Sequence, residues 1–353
     1  MGSEGISKMK YTLEQAYAYC HKAAKKADSN FYLGFMFLPK PKRDAFFACY
    51  AFFRYVDDIA DEHSEGARSQ VSPSGAHPAG MLPPKARLPD TVGFADLLPR
   101  QQIACISPSA KSHSPRSVHE YKGEADYVAK LIQRWETDLD RAYEGEADHP
   151  IMIALAHAVK SYNIPKAPFK GLILGCKMDQ TIRRYEAFDD LLKYCELVAS
   201  TISAVSISII GCKDKKAFEY GRYLGLAFQL TNIIRDIAVD AKKGRIYLPL
   251  DELKRFEYGE SDLLNGVVDK RYVNLMRFQV KRAREYYLKA KHLMEYVDTD
   301  CKLATSLAGA VYLKLLDTIE KKQFDVYKNK FKLSEYDKSV LVLKNMLKSE
   351  YSV

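Results

Sequence analysis

Ala45–Glu62 reads "AFFACYAFFRYVDDIADE", a run of aromatic and small apolar residues that ends on three aspartates within five positions. On a helix, residues three and four apart share a face, so Tyr50, Arg54, Asp57 and Asp61 form one stripe, with Asp58 beside it. The remainder is apolar and asks for burial. A single D-x-x-x-D has two readings: an acidic helix end turned to water, or two carboxylates one turn apart that hold the same hard cation. Mg²⁺ suits the second, because it is usually bound by a few carboxylates together with substrate phosphates. Mn²⁺ accepts the same oxygen donors.

The second half of the chain repeats the pattern. Phe228–Pro249, "FQLTNIIRDIAVDAKKGRIYLP", spaces Gln229, Asn232, Asp236 and Asp240 by three, four and four residues, which puts them on one face. The other faces carry Leu226, Phe228, Leu230, Ile233, Ile234 and Ile237, so the helix is predicted to be buried. Carboxylates in such a place are costly unless cations meet them. Lys242, Lys243 and Arg245 follow at once and can grip phosphate oxygens. Two acidic stripes facing each other across a bundle would cage Mg²⁺ and diphosphate, and leave apolar walls for a greasy chain.

The rest of the sequence agrees with an all-α architecture. Thr12 and Gln15 fit a capping box, and Val128, Leu131, Ile132, Trp135 and Leu139 form a stripe in a helix read from about Gly123. Further helices read from Pro150, Pro168, Phe188, Lys216, Asp269 and Cys301, and hardly any stretch alternates with the period of two that strands show. Residues 64–117 differ: they hold more than half of the chain's 14 prolines and little periodicity. That composition resists helix and strand alike, and reads as a solvated insertion within a single domain spanning 1–353, or as a flap near the acidic cluster.

The 353 residues are 47% apolar and 28% charged, an ordinary globular balance. The net charge of +9 is spread along the chain, without the Lys/Arg blocks of a nucleic-acid arm, and reads as a mild bias towards anionic ligands or an anionic membrane surface. Seven scattered cysteines show neither C-x-x-C nor zinc spacing and suit a reducing compartment. The first residues lack the apolar core of a signal peptide. "LVASTISAVSISIIGC" is short for a membrane span and carries repeated Ser and Thr. The expectation is a cytoplasmic protein with peripheral membrane contact.

"YAFFRYVDDIADE" and "QLTNIIRDIAVDAKKGRIYLPLDEL" resemble the two aspartate-rich signatures of the squalene/phytoene synthase family, and "MDQTIRRYEAFDDLLKYCELVAS" is similar to the segment that links them. The likeness covers about residues 17–62 and 123–331, and its flavour leans towards bacterial presqualene diphosphate synthases. The resemblance implies an isoprenoid-synthase helical bundle around a central cavity. It implies Mg²⁺-dependent, head-to-head condensation of two prenyl diphosphates: farnesyl diphosphate to a presqualene or squalene product, or geranylgeranyl diphosphate to phytoene. By the same resemblance Asp57 and Asp61, assisted by Asp58, bind metal on one side and Asp236 and Asp240 on the other, with Gln229 and Asn232 assisting. Tyr50, Arg54, Arg235 and Tyr247 match positions at the diphosphate end. Tyr194, Val198 and Ala199 match the helix lining the prenyl channel, and Tyr312 a tyrosine near the diphosphates.

Three departures stand out. Asn30 replaces the second serine of the family's N-terminal pattern, Ser203 stands where Gly is usual, and Lys330 takes the place of a C-terminal arginine. Asp179 in "GCKMD" reads equally as close to the site or as structural. The sequence leaves NADPH use, prenyl length and oligomeric state open. Two rival classes stay in view. A head-to-tail elongase or class I cyclase would carry different acidic motifs. An inactive helical binding protein would have lost one of the four main aspartates.

Overall fold

The computed structural model describes residues 11–27, 30–62 and 118–350, and is all-α among them. The helices are α1 (Leu13–Lys26), α2 (Asn30–Phe35), α3 (Lys40–Glu62), α4 (Val118–Tyr143), α5 (Pro150–Ser161), α6 (Ala167–Thr181), α7 (Phe188–Cys195) and α8 (Thr201–Ile210). There follow α9 (Lys216–Lys242), α10 (Leu250–Arg255), α11 (Glu260–Leu264), α12 (Lys270–Ala290), α13 (Leu293–Tyr296), α14 (Lys302–Lys321) and α15 (Glu335–Glu350). The Pro/Ser-rich segment and the flap reading of it lie outside the described residues.

Several helix starts follow from their caps. Thr12 accepts from the Gln15 amide at 3.2 Å while the Gln15 side chain accepts from the Thr12 amide at 2.9 Å. His149 Nδ1 accepts from the Ile151 amide at 3.2 Å, ahead of Pro150 at the first turn of α5. Asp269 accepts from the Tyr272 amide at 3.0 Å and starts α12.

Two apolar clusters make the core. The first joins α1, α3, α4, α5, α6 and α8, with Phe47 and Phe52 fully buried. Here Phe52 and Phe53 pack on Phe169, and Trp135 stacks on Phe52. The second joins α7, α9, α12 and α14 around Tyr272, Leu275, Leu315 and Leu316. Between them run α7 and α8, joined by a π-helical turn at Glu196–Ser200 into one rod. Such a turn inserts a residue into the helical ladder and often marks a functional site.

This rod, Phe188–Ile210, is long and apolar enough to cross a membrane by length and composition, yet half of its apolar window is buried inside the fold. Two details let it pack. At its end Gly211 takes φ +81° and ψ 156°, an extended positive-φ conformation that glycine adopts without strain, beside the Asp298 carboxylate. Gly225 of α9 crosses it so closely that a Cβ there would stand 2.9 Å from the Ala199 carbonyl oxygen and collide with Ser203 Oγ. Lys42 closes the same end: its Nζ donates to the Ile210 carbonyl at 2.8 Å and to Asp300 at 2.9 Å. One of the carbonyls left over at the end of α8 is thereby satisfied.

Candidate active site

A cavity of about 760 Å³ lies between the two clusters. Its lining along α3 runs from Phe46 through Tyr50, Phe53 and Arg54 to Asp57. Along α9 it runs from Gly221, Leu224, Gly225 and Phe228 to Gln229, Asn232, Asp236 and Asp240. Both helices pass from apolar to acidic in chain order. The connecting rod runs the other way, from Tyr194 through Val198, Ala199, Ile202 and Ser203 to Ile207 and Ile210. The chamber thus has an apolar depth and a charged end. At 1.5 Å per residue, Phe46 and Asp57 are roughly 16 Å apart along α3.

The charged end mixes both signs. Arg54 reaches Asp57 at 3.3 Å and Asp58 at 2.5 Å with its two terminal nitrogens. On the facing helix Arg235 grips Asp236 through Nε at 2.7 Å and Nη2 at 2.5 Å. Burial, and next the Asp236 charge, push the Asp240 carboxyl up to about 7, against the pull of Arg245 and Lys243. Asn232 Oδ1 is buried there and has no hydrogen-bond partner. An orphaned acceptor beside two carboxylates, one of them strained by like charge, is a donor set that fits Mg²⁺. Among the described residues no three His, Cys, Asp or Glu side chains converge as a metal cluster; the two carboxylates and the amide oxygen leave positions in a six-oxygen Mg²⁺ shell that water or phosphate oxygens suit.

A tyrosine wall completes the chamber. Tyr312 is buried and stacks on Phe228 at 4.2 Å, and burial raises its phenol above the ordinary range. Tyr194 and Tyr247 stack at 5.3 Å and both donate to Asp179, at 2.8 and 2.7 Å. Arg245, itself buried, donates to the Asp179 backbone carbonyl at 3.3 Å.

The sequence-derived set is therefore largely gathered on one surface: Tyr50, Arg54, Asp57, Tyr194, Val198, Ala199, Gln229, Asn232, Arg235, Asp236, Asp240, Arg245, Tyr247 and Tyr312 all line the cavity. Four residues differ. Asp58 is off the lining, about 100° round the helix from Asp57 and held by Arg54. Lys330 is exposed and off the lining, whereas Lys332 is on it. Asp61 lies in the last turn of α3 and Asn30 begins α2, but their side chains lie outside the described residues. Sequence reasoning left Asp179 undecided and passed over Lys332. The signal for Asp179 was a lone acid on the apolar face of α6.

The chain matches the squalene/phytoene synthase family profile over residues 24–92 and 111–337, further into the Pro/Ser-rich segment than its motifs alone indicate. It is 30% identical to a phytoene synthase of Arthrospira platensis over 329 residues, 90% of this chain and 87% of that one. It is 29% identical to a 15-cis-phytoene synthase of Synechococcus elongatus, over 90% of this chain and 88% of the relative. Among solved structures, a dehydrosqualene synthase in complex with ligand superposes with a TM-score of 0.74 at 23% identity, covering 96% of this chain and 98% of the other. A squalene synthase from Alicyclobacillus acidocaldarius gives 0.66 at 21%, covering 88% and 95%. Fold, acidic motifs and full-length similarity agree, and the chain belongs to the squalene/phytoene synthase family of prenyltransferases, which condense two prenyl diphosphates head to head.

Proposed function

We propose that this chain joins two geranylgeranyl diphosphates into a phytoene-type hydrocarbon without reduction by NADPH. The observation that carries this is the 30% identity, along nearly the whole chain, to a protein named phytoene synthase. The family depends on Mg²⁺, and the residues suited to hold it are Asp57 on one wall and Asp236, Asp240 and the orphaned Asn232 Oδ1 on the other, with Asp61, one helical turn on from Asp57, added by the family resemblance. When bound, Mg²⁺ supplies charge neutralisation to the diphosphate leaving group. Arg54, Arg235, Lys243, Arg245 and Lys332 add fixed positive charge at that end.

Ionisation of one substrate leaves an allylic cation. Phe53, Val198, Ile202 and Phe228 keep water from it. The acceptor's double bond attacks C1 of the donor, and loss of a proton closes a cyclopropane that keeps the acceptor's diphosphate; departure of this second diphosphate opens the ring through a rearranged cation, and loss of a second proton, with no hydride added, gives the hydrocarbon. A water-insoluble product would leave through peripheral contact with a membrane, which the exposed Tyr336, Leu343 and Leu347 of α15 suit.

The test is purified protein with Mg²⁺ and either geranylgeranyl or farnesyl diphosphate, with and without NADPH, products identified by mass. Phytoene from the longer substrate, indifferent to NADPH, is expected. Product from farnesyl diphosphate alone would favour the second reading, a presqualene-type synthase. Ser203 supports that reading, since its side chain narrows the channel where it crosses Gly225.

A further inference from the structure

Asp179 projects from α6 into the tyrosine wall, 8% exposed. Tyr194 of α7 donates to one of its carboxylate oxygens at 2.8 Å, and Tyr247, from the segment after α9, donates to the other at 2.7 Å. The three side chains come from separate parts of the chain, and all line the cavity. A phenol has a single proton to give. With that proton committed to Asp179, each tyrosine can offer the chamber only an oxygen lone pair or the electron-rich face of its ring.

We infer that Asp179 is a positioning residue for the condensation: it turns the hydroxyl protons of Tyr194 and Tyr247 away from the chamber, so that these two phenols meet the allylic cation with their electron-rich oxygens and ring faces and not with a proton. Such a wall stabilises a cation passing over it, as ring faces do for ammonium and guanidinium groups. It also keeps an acid away from substrate double bonds that a proton would destroy. Burial, and next the Asp179 charge, raise the phenol of Tyr194 well above its ordinary range, and the same two causes act on Tyr247. Both are therefore neutral phenols whose orientation, and not ionisation, is what Asp179 controls.

The inference rests on the chamber being the site of condensation. An asparagine at 179 keeps the shape but must donate through its amide nitrogen, which reverses one tyrosine and points its proton inward. Turnover, KM and the fraction of ionised substrate escaping as prenyl alcohol are to be measured with Mg²⁺ and geranylgeranyl diphosphate or farnesyl diphosphate. The proteins are wild type, Asp179→Asn, the pair Tyr194→Phe with Tyr247→Phe, and all three changes together.

Asp179→Asn is expected to lower kcat by roughly 10- to 100-fold with KM within about 3-fold, and to raise the alcohol fraction. The tyrosine pair is expected to lose as much, and adding Asp179→Asn to it to cost less than about 3-fold more, because the groups it positions are gone. Wild-type kcat and alcohol fraction in Asp179→Asn, or a full second loss on the pair background, would overturn the inference. If Asp179→Asn does not fold, the pair decides: a loss of kcat at constant KM with more alcohol supports the inference, and wild-type values overturn it. No condensed product from wild type with either substrate would overturn the reading of the chamber as well.

Discussion

Asp240→Asn should stabilise the metal-free protein while disabling it. The wild-type carboxyl is pushed up from 3.8 to about 7, first by burial and then by Asp236. A raised folded-state value means that the folded chain keeps a proton the unfolded chain has released. The associated stability is present below about pH 4 and is lost as the pH rises through about 7. At 1.36 kcal/mol per pH unit, ionising the group in the fold costs about 1 kcal/mol at pH 4.5 and up to about 4 kcal/mol at pH 8. Asparagine carries no such cost, so the variant's advantage should grow across that window.

Urea denaturation of both proteins at pH 4.5, 6 and 8, in the presence of a chelator, measures the difference. Adding Mg²⁺ with inorganic diphosphate should reverse the ranking, because a ligand that binds only the folded wild type stabilises it by mass action. A difference that stays flat from pH 4.5 to 8 would refute the reasoning. So would equal stabilisation of both proteins by Mg²⁺ and diphosphate.

On the facing wall, Asp57→Asn should lower turnover by roughly 100-fold or more, the scale of losing a major electrostatic contact with the transition state, with the melting temperature little changed; near-wild-type turnover would make the residue structural. His149, held near 4 by burial and then by Arg134, contributes stability that is present above about pH 6.5 and lost as the pH falls towards 4. His149→Asn keeps a capping acceptor and should gain up to about 3 kcal/mol over wild type at pH 4 and nothing at pH 8, as read by denaturation at both values. Gly225→Ala should cost about 1–3 kcal/mol, since its Cβ would meet the Ala199 carbonyl and Ser203, which thermal melting will detect. Removing residues 93–110, which the family profile does not match, should leave the far-ultraviolet helical signal and turnover intact; loss of activity with folding retained would point to the flap reading instead.

The two acidic stripes were legible because helical period converts spacing into a shared face. Asp57, Asp236 and Asp240 share their helix faces by spacing alone, and all three line the cavity. The cap at Thr12 and the helix start at Asp269 were legible for the same local reason. Asp179 was not, because its meaning lies in Tyr194 and Tyr247, which are 15 and 68 residues away. Lys332 was passed over in favour of Lys330 because the segment between α14 and α15 has no regular structure, and so no period that selects one lysine. The π-helical turn has no composition of its own. Helix α15 was missed because Leu343, Met346 and Leu347 stay exposed, which blurs the contrast between faces that betrays an amphipathic helix.

One face of α9 explains why the chamber and its cost come together. Gly221 and Gly225 let α8 approach until side chains touch backbone, and farther along the same face Asn232, Asp236 and Asp240 carry the charged end. A glycine inside a helix costs about 1 kcal/mol against alanine, and a buried acid beside another costs more. Neither residue type is what a helix chosen for stability would place there. The surrounding apolar residues Leu226, Leu230, Ile234 and Ile237, each 4% exposed or less, offset both penalties. Substitutions on that apolar side should therefore act through folding, those of the acids should lower turnover without loss of stability, and an alanine at Gly225 should disturb packing and channel shape together. Ile234→Ala and Asp236→Asn, two residues apart, provide the contrast: the first should lose about 2–5 kcal/mol of stability with the turnover of its folded fraction preserved, and the second should lose turnover without losing stability. Equal effects of the two on both quantities would mean that the helix is not divided in this way.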